Sequence, residues 1–323
     1  MENKFIGIDI SKQTFDAAFQ LCNKWYFFSL DNKIEGYKAL AKHLNSGDVL
    51  VMEASGPYYL LLANYFYSKG FKVVVVNPLV IKRYSQMRLY RAKTDKKDAQ
   101  TIAEYAASNE LTSWKPEEEQ ISKLKQLQTA IEGLQKASHQ ISRQLEAMRT
   151  TGYLSKELEK DLSQTIASLK KKIQKLEKRQ LQIATKYYNQ TLTRLQTIPG
   201  IGRKTAVMLI TITNDFRKFD NYKKLIAYVG FSPRIYQSGS SINGKGHICK
   251  MGKAQIRKLL YMCSWSAKHK NKACIEMYER LRAKGKPERV IKVAIANKLI
   301  KQAFALIKNN QPYQENYQSK PCF

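Results

Sequence analysis

The first hundred residues alternate short apolar runs with helical patterns, and this order limits the possible folds more than any other feature. Three strand-like runs joined by tight polar turns come first: KFIGIDIS, FDAAFQLC and KWYFFSLD. The helical pattern EGYKALAKHL, the buried run DVLVMEAS, a second helix, the run KVVVVN and a third helix follow. The predicted order is therefore β-β-β-α-β-α-β-α. Three antiparallel strands followed by crossover units imply a mixed sheet with helices on both faces.

This strand order is that of the RNase H-like fold, so we predict an α/β domain of that type over residues 1–112. Apolar residues at alternating three- and four-residue spacing then indicate a coiled-coil helical hairpin over 113–190, broken by RTTGY. Residues 191–310 are expected to form a mainly α domain. The segment 311–323 has no periodicity and is expected to be a disordered tail.

Charge is the strongest compositional signal. The chain holds 56 Lys and Arg against 26 Asp and Glu, a formal net charge of +30. The net charge is +4 over residues 1–112, +6 over 113–190 and +20 over 191–323. This excess predicts a polyanionic partner, and the last segment should carry most of the nucleic-acid surface.

Other features of the composition indicate the compartment. No stretch approaches the ~20 apolar residues of a membrane span, and the N-terminus lacks the layout of a signal peptide. The five cysteines are scattered without a CxxC pair, which argues for a reducing compartment without structural zinc. We expect a cytoplasmic, nucleoid-associated bacterial protein with no membrane partner.

Four carboxylates fall at the positions where this sheet would bring them together. Asp9 lies inside the first strand, Glu53 closes the strand expected beside it, and Asp95 and Asp98 head a helix at i, i+3 spacing. Each has an ordinary explanation, since acids favour a first helical turn and carboxylates cap helices. Together they would repel one another unless a divalent cation pair joined them. Mg²⁺ suits such hard oxygen ligands, and two ions can clamp a phosphoryl transfer.

A second motif, IPGIGRKTA, is typical of a helix-hairpin-helix. Gly200 and Gly202 would allow a tight turn that leaves backbone N–H groups at the next helix start, a seat for phosphate. Arg203 and Lys204 add charge beside it. A plain turn between two helices is the alternative, but the basic segment favours phosphate contact, which positions nucleic acid without reading its sequence.

In GIDISK, MEASGPYY and KTDKKDA, the chain resembles the DEDD transposases of the insertion sequence 110 family, whose N-terminal domain resembles the resolvase RuvC. The later motifs IPGIGRKTA and YVGFSPRIYQSGSS resemble the second domain of that family. The resemblance spans about residues 4–305 in the same order. It implies that Asp9, Glu53, Asp95 and Asp98 form a tetrad that binds Mg²⁺, with Mn²⁺ as a possible substitute.

The resemblance also implies a reaction and its partners. The family excises and inserts a mobile element by recombination, directed by a structured non-coding bridge RNA that pairs with donor and target DNA. We therefore expect DNA and RNA as partners, and a homodimer or homotetramer.

The Ser-Gly loop of that second domain is described as carrying a catalytic serine. The position that matches is Ser238, with Ser240 and Ser241 as alternatives. A long Gly/Ser loop is otherwise more often a flexible connector. Basic residues in and after this loop complete the expected nucleic-acid surface: Lys245, Lys250 and Lys253.

Two other functions remain open from the residues. The tetrad could activate water in a structure-selective endonuclease of the resolvase type, or the fold could be a non-catalytic nucleic-acid binder. The intact tetrad argues against the binder. A phosphodiester attached covalently to the protein would distinguish the recombinase from the nuclease.

Overall fold

The computed structural model describes residues 4–90, 94–234, 237–238, 242–243 and 246–315, with the pairs 237–238 and 242–243 described through their backbone alone. The chain forms two compact units, Met1–Pro116 and Glu117–Phe323. The division into three domains and a tail stays a prediction. Across the described ranges, no helix is both long enough and apolar enough to cross a membrane.

The first unit is built on a five-stranded mixed sheet. Its strands are β1 (Phe5–Ile10), β2 (Thr14–Leu21), β3 (Lys24–Asp31), β4 (Val49–Glu53) and β5 (Lys72–Val76). Their order in the sheet is β3-β2-β1-β4-β5. β1 pairs with β2, and β2 with β3, in antiparallel register, whereas β1–β4 and β4–β5 are parallel. This mixed α/β architecture is consistent with the predicted RNase H-like domain.

Helices cover both faces of the sheet, as the pattern predicts. The described helices of this unit are α1 (Ile34–Ala41), α2 (Tyr59–Ser68), α3 (Pro78–Met87) and α4 (Asp95–Ser108). On one face, Ile6, Ile8 and Ile10 of β1 join a core with residues of α1 and α2. On the other face, a smaller core joins β4 and β5 to α3 and α4. The two cores fix which side chains of each strand point toward α4.

Helix α3 is absent from the predicted order and is a correction to it. Asn77 caps this helix, accepting a hydrogen bond from the Leu79 backbone N–H at 2.9 Å, and Pro78 occupies its first turn. Asn followed by Pro is a helix-start signal, but only two side chains of the ten-residue helix, Ile81 and Tyr84, are buried. The apolar period is therefore too weak for the sequence pattern to show it.

The second unit is mainly helical. Its helices are α5 (Glu119–Thr150), α6 (Lys156–Tyr187), α7 (Asn189–Thr197), α8 (Arg203–Thr213), α9 (Tyr222–Val229), α10 (Ala254–Lys270), α11 (Lys272–Ala283) and α12 (Glu288–Lys308). α5 and α6 are 32 residues each and pack against one another. One core joins Leu124 of α5 and Ala184 of α6 to Leu209, Leu260 and Leu299.

Between α9 and α10 the chain forms paired short strands. These are β6 (Pro233–Arg234), β7 (Gln237–Ser238), β8 (Ile242–Asn243) and β9 (His247–Ile248). β6 pairs with β9 and β7 with β8, both antiparallel, so one pair lies inside the other along the chain. Ser238 of the predicted Ser-Gly loop thus lies on the inner of the two strand pairs.

Candidate active site

Asp9 is the polar residue in a strand whose neighbours are buried. Side chains alternate across a strand, and Ile8 and Ile10 point into the core beneath α1 and α2. Asp9 therefore points to the opposite face, the one that α4 covers, and its side chain is half-buried. The strand thus presents a single carboxylate on this face, close to its carboxyl end.

Glu53 reaches the same face from the neighbouring strand. β1 and β4 are parallel, with Ile8 opposite Met52, so the next residue of each strand places Glu53 beside Asp9. Adjacent strands lie about 4.8 Å apart, which brings the two backbones within reach of one shared site. Val51, two residues before Glu53, belongs to the core on the α4 side and confirms the direction.

Helix α4 approaches this face at the closest distance the backbone allows. A Cβ atom added at Gly7 would stand 2.1 Å from the Ala99 carbonyl oxygen and 2.4 Å from the Ala103 nitrogen. Only a residue without a side chain permits this contact. Ala99 directly follows Asp98, so the close contact holds the first turn of α4 against the strand that carries Asp9.

The start of α4 is fixed by its own cap. The Thr94 hydroxyl accepts a hydrogen bond from the Lys97 backbone N–H at 3.2 Å, and the Thr94 carbonyl accepts one from the Asp98 N–H at 2.8 Å. Asp95 and Asp98 consequently occupy the first turn, where the helix dipole favours negative charge. Local sequence therefore places both carboxylates in the first turn of α4.

The charges of these residues act on one another. Burial, followed by the neighbouring charges of Asp98 and Asp95, raises the pKa of Asp9 to about 6. A hydrogen bond from the Ile10 backbone opposes the shift. Asp95 and Asp98 thus lie near enough to repel Asp9, and the strand register places Glu53 beside Asp9 on the neighbouring strand.

A fifth acid on this face was missed by sequence reasoning. Asp16 of β2 lies directly opposite Asp9 in the antiparallel pairing, and its charge also raises the pKa of Asp9. The tight turn between the two strands, with Ser11 and Thr14 hydrogen-bonded across it, sets this register. Counting residues outward from that turn along both strands would have paired Asp9 with Asp16.

The donor set matches a hard divalent cation, because carboxylate oxygens from three chain segments face one region. A cation there would also offset the repulsion around Asp9. Across the residues that the structure describes, no three His, Cys, Asp or Glu side chains stand close enough to hold one ion together. Binding an ion would therefore require the carboxylates to turn toward it.

The predicted phosphate seat lies on the connection between α7 and α8. Gly200 has a φ of +105°, and a Cβ there would stand 2.8 Å from the Ala267 Cβ, so glycine is required. Gly202 has an ordinary φ of −87° and open space around it, so the backbone there does not require glycine. Gly202 precedes α8 as its N-cap residue and supplies no side-chain cap to the N–H groups of the first turn.

The two basic residues of this turn differ in their surroundings. Both are exposed, but Lys204 forms a salt bridge with Glu177 of α6 at 2.8 Å. Arg203 forms no salt bridge among the described residues, so the two cations at the start of α8 differ in having a charged partner.

The predicted serine segment has a well-anchored base. The Cys249 N–H donates to the Ser232 carbonyl at 2.9 Å, and the Lys250 N–H donates to the Gly230 carbonyl at 3.2 Å. Ser238 lies on β7, paired with Ile242, and its side chain is outside the described residues. Ser240, Ser241 and Lys245 also lie outside them.

The remaining two predicted lysines follow this hairpin. Lys250 and Lys253 are both exposed, and Lys253 immediately precedes α10. They are thus accessible from solvent at the base of the serine segment, within the second unit.

Comparison with known proteins matches both units. A profile described as a transposase matches residues 6–152, which include all four carboxylates of the tetrad. A second profile, described as the transposase IS116/IS110/IS902 family, matches residues 192–279, which include the α7–α8 turn and the serine segment.

Individual relatives extend along the whole chain. The pilin gene-inverting protein of Moraxella lacunata is 34% identical over 325 residues, covering 98% of this chain and 99% of the relative. The transposase for insertion sequence element IS1111A of Coxiella burnetii is 27% identical, covering 80% of this chain and 76% of that protein. With both profiles and a full-length relative in agreement, the chain belongs to the IS110 family of DNA transposases and recombinases, a family of DEDD enzymes that depend on divalent metal ions.

Proposed function

We propose that this protein excises and inserts an insertion sequence under the direction of a structured bridge RNA, using the carboxylate tetrad together with Ser238. The observation that carries the proposal is that Asp95 and Asp98 lie near enough to act on the charge of Asp9, with Glu53 at the adjacent position of the neighbouring strand. The family membership supplies the reaction class. The guide RNA and the serine role rest on the resemblance of the sequence motifs.

The tetrad would hold two divalent ions, Mg²⁺ or Mn²⁺. When bound, such ions polarise a phosphoryl group and stabilise both the attacking and the leaving oxygen. The carboxylates position the cations, and Gly7 keeps the first turn of α4 in place beside β1. The predicted site residues of the first unit would thus hold the metal ions in position next to the scissile phosphate.

Ser238 would act as the nucleophile. Its Oγ attacks the scissile phosphorus, an O–P bond to serine forms, and the bond from phosphorus to one DNA oxygen breaks, leaving that DNA end as a hydroxyl once it takes up a proton. In rejoining, a DNA hydroxyl attacks the phosphoserine and releases the serine. The covalent intermediate conserves the phosphodiester bond, as recombination requires and hydrolysis does not.

The second unit would hold the nucleic acids. We propose that the α7–α8 connection is a helix-hairpin-helix whose free N–H groups and Arg203 contact phosphate, and that α5 and α6 form a coiled-coil hairpin. Lys250 and Lys253 would extend the same surface. The excess positive charge of this unit supports contact with DNA and with a guide RNA, whose A-form helices are recognised through backbone and shape.

The assembly and location follow from this activity. We propose a homodimer or homotetramer, since recombination joins two DNA partners, acting on nucleoid DNA in the bacterial cytoplasm.

Trapping the covalent intermediate tests the proposal. Purified protein is incubated with labelled element-end DNA, guide RNA and Mg²⁺, denatured, and analysed for protein-linked DNA by peptide mapping. We expect an adduct on Ser238 that Ser238→Ala abolishes and that Ser232→Ala, at the base of the same hairpin, retains. An adduct on Ser240 or Ser241 would correct the residue but keep the mechanism. Free DNA ends without an adduct would instead support a RuvC-like nuclease.

A second candidate function is DNA inversion. Relatives that match this chain along its full length are described as pilin gene-inverting proteins. The same tetrad and serine would then recombine two inverted sites on one molecule. A plasmid carrying element ends in direct or inverted orientation distinguishes the two, since a transposase releases an excised element and an invertase flips the intervening segment.

A further inference from the structure

A cleft of about 580 Å³ opens within the second unit, where faces of α5, α6, α8 and α10 meet. Its volume falls in the range of roughly 300–1,000 Å³ that is usual for small-molecule sites. None of the predicted chemistry uses this cleft, although Arg203 and Lys204 lie at its edge. Its lining has three features that together indicate a ligand.

The first feature is an unusual number of amides. Five glutamines line the cleft, from α5, α6 and α10. Gln180 donates to Gln128 at 3.1 Å, and Gln255 donates to Gln135 at 3.4 Å. Gln180 also donates to the Leu124 carbonyl at 3.4 Å, and Gln128 donates to Glu132 at 2.9 Å. A glutamine amide has two donor hydrogens and an acceptor with two lone pairs, so Gln135 and Gln255, which share one bond, keep the most hydrogen-bonding capacity. A planar group with donors and acceptors along its edge would form the remaining hydrogen bonds of these amides.

The second feature is an apolar floor. Ile131 of α5, Leu181 of α6, Met208 of α8 and Leu259 of α10 contribute to the lining. Methionine makes favourable contacts with aromatic rings. A planar, partly apolar group with polar edges therefore suits the cleft better than a sugar or a flexible chain.

The third feature is a positively charged rim. Of the charged residues at the cleft, Lys204 is paired with Glu177. Lys178, Arg203 and Lys258 also line it, are exposed, and form no salt bridge among the described residues. Gly202 begins α8 without a side-chain cap, so the first N–H groups of this 11-residue helix are available at the same rim. These cations and N–H groups would stabilise an anionic group at this edge of the cleft.

We propose that this cleft binds one unpaired nucleotide of a nucleic-acid strand, with the base among the glutamines and its phosphate at the Arg203 rim. The base supplies the planar ring and the polar edges, and glutamine is suited to hydrogen-bond base edges. The phosphate supplies the anion. The inference extends the proposed nucleic-acid grip of the second unit, and it depends neither on the serine nor on the metal site.

Bulged hairpins test the proposal through binding alone. The full chain is titrated with a fluorescent RNA hairpin carrying a single unpaired nucleotide, the same hairpin with an abasic residue at the bulge, and a fully paired hairpin. DNA hairpins of the same sequence and design show whether the protein prefers RNA or DNA. We expect the bulged probe to bind about 10-fold more tightly than the abasic probe, a difference of about 1.4 kcal/mol.

The variant Gln135→Leu with Gln255→Leu removes the bonded amide pair while keeping its approximate shape, so folding should be preserved. We expect it to abolish the preference for the bulged probe while leaving affinity for the paired hairpin unchanged. Equal binding of bulged and abasic probes by the wild type, or an unchanged preference in this variant, would overturn the proposal.

A matched pair of lysines tests the rim. Lys178→Gln removes a charge that lines the cleft, whereas Lys175→Gln removes an exposed charge from the same helix outside it. We expect Lys178→Gln to reduce the affinity for the bulged probe several-fold more than Lys175→Gln does. Equal losses would show that the rim acts only through general charge and would refute the phosphate position. Absence of recombination would leave these binding results unaffected and would count against the proposed function instead.

Discussion

The backbones of Gly7 in β1 and Ala99 in α4 are in direct contact. A Cβ atom at Gly7 would stand 2.1 Å from the Ala99 carbonyl oxygen, so only the hydrogens of glycine fit between them. Asp9 lies two residues after Gly7, and Asp98 directly precedes Ala99. The contact therefore sets how near the first turn of α4 comes to the strand carboxylate. Gly7 thus positions the carboxylates that we propose as metal ligands.

Gly7→Ala should consequently disturb both stability and chemistry. Pushing α4 away from β1 resembles overpacking of a core, which costs roughly 1–3 kcal/mol. We expect a lower midpoint in urea unfolding and a loss of strand cleavage. Gly133→Ala is the control, since an added Cβ on that α5 residue meets nothing within 4 Å and should stabilise by up to ~1 kcal/mol. Normal activity in Gly7→Ala would contradict the positioning role.

Asp9→Asn should separate catalysis from stability. Removing this ligand is expected to abolish cleavage while preserving nucleic-acid binding, because the basic surface lies mainly in the second unit. The folded protein raises the pKa of Asp9 to about 6, so Asp9 is mostly ionised at neutral pH and its charge destabilises the folded state. The neutral amide should therefore stabilise the metal-free protein by about 1 kcal/mol, after discounting for partial exposure.

Calorimetry without metal and cleavage assays with Mg²⁺ measure the two effects. Asp98→Asn should behave in the same way, since it removes a charge that repels Asp9. Full recombination by an Asp9→Asn, Glu53→Gln double variant would show that the tetrad is not the catalytic centre.

Guide RNA binding should depend steeply on salt. A protein that neutralises many phosphates releases their counterions, so the logarithm of the binding constant falls linearly with the logarithm of salt concentration. We expect purified protein to retain a structured RNA at low salt and to lose it between about 50 and 200 mM added salt. Recombination of element ends by RNA-free protein would contradict the guided mechanism.

Two inactive variants should complement each other when mixed. The tetrad and Ser238 belong to different compact units, so the first unit of one chain and the second unit of another can supply one complete site. A mixture of Asp9→Asn and Ser238→Ala should then recover part of the wild-type cleavage. Each variant alone is the control, and a mixture no more active than either would argue for sites built within one chain.

Glu288 should make stability depend on acidic pH. A hydrogen bond from Lys268 at 3.1 Å, with others from Lys292 and Tyr278, lowers the pKa of Glu288 to about 2. A carboxylate with a depressed folded pKa stabilises the protein above its unfolded pKa, near 4.5. This contribution is lost as pH falls from about 4.5 toward 2.

We expect Glu288→Gln to lower the melting temperature at pH 7, because it also leaves the buried Lys292 without its carboxylate. The difference from wild type should shrink as pH falls through that window. Asp220→Asn breaks the exposed pair with Lys224 and should change little at any pH. A constant difference between wild type and Glu288→Gln across the window would contradict the titration.

Much of this protein was predictable from local pattern. Short apolar runs identified all five strands of the sheet, with alternation in β1 and continuous apolar sequence in β4 and β5, which are buried on both faces. The same alternation made Asp9 conspicuous among Ile6, Ile8 and Ile10. Helix-start chemistry likewise placed Asp95 and Asp98 in one first turn, since capping depends on residues only three positions apart.

Other properties were decided only by tertiary structure, because they depend on residues far apart in sequence. The strand register sets Asp16 opposite Asp9, and the contact of Gly7 with α4 brings Asp95 and Asp98 near Asp9. The salt bridge from Lys204 to Glu177 joins α8 to α6, which no local motif could indicate. The glutamine cleft likewise exists only where four helices meet, since each helix contributes amides or charges that appear solvated when its sequence is considered alone.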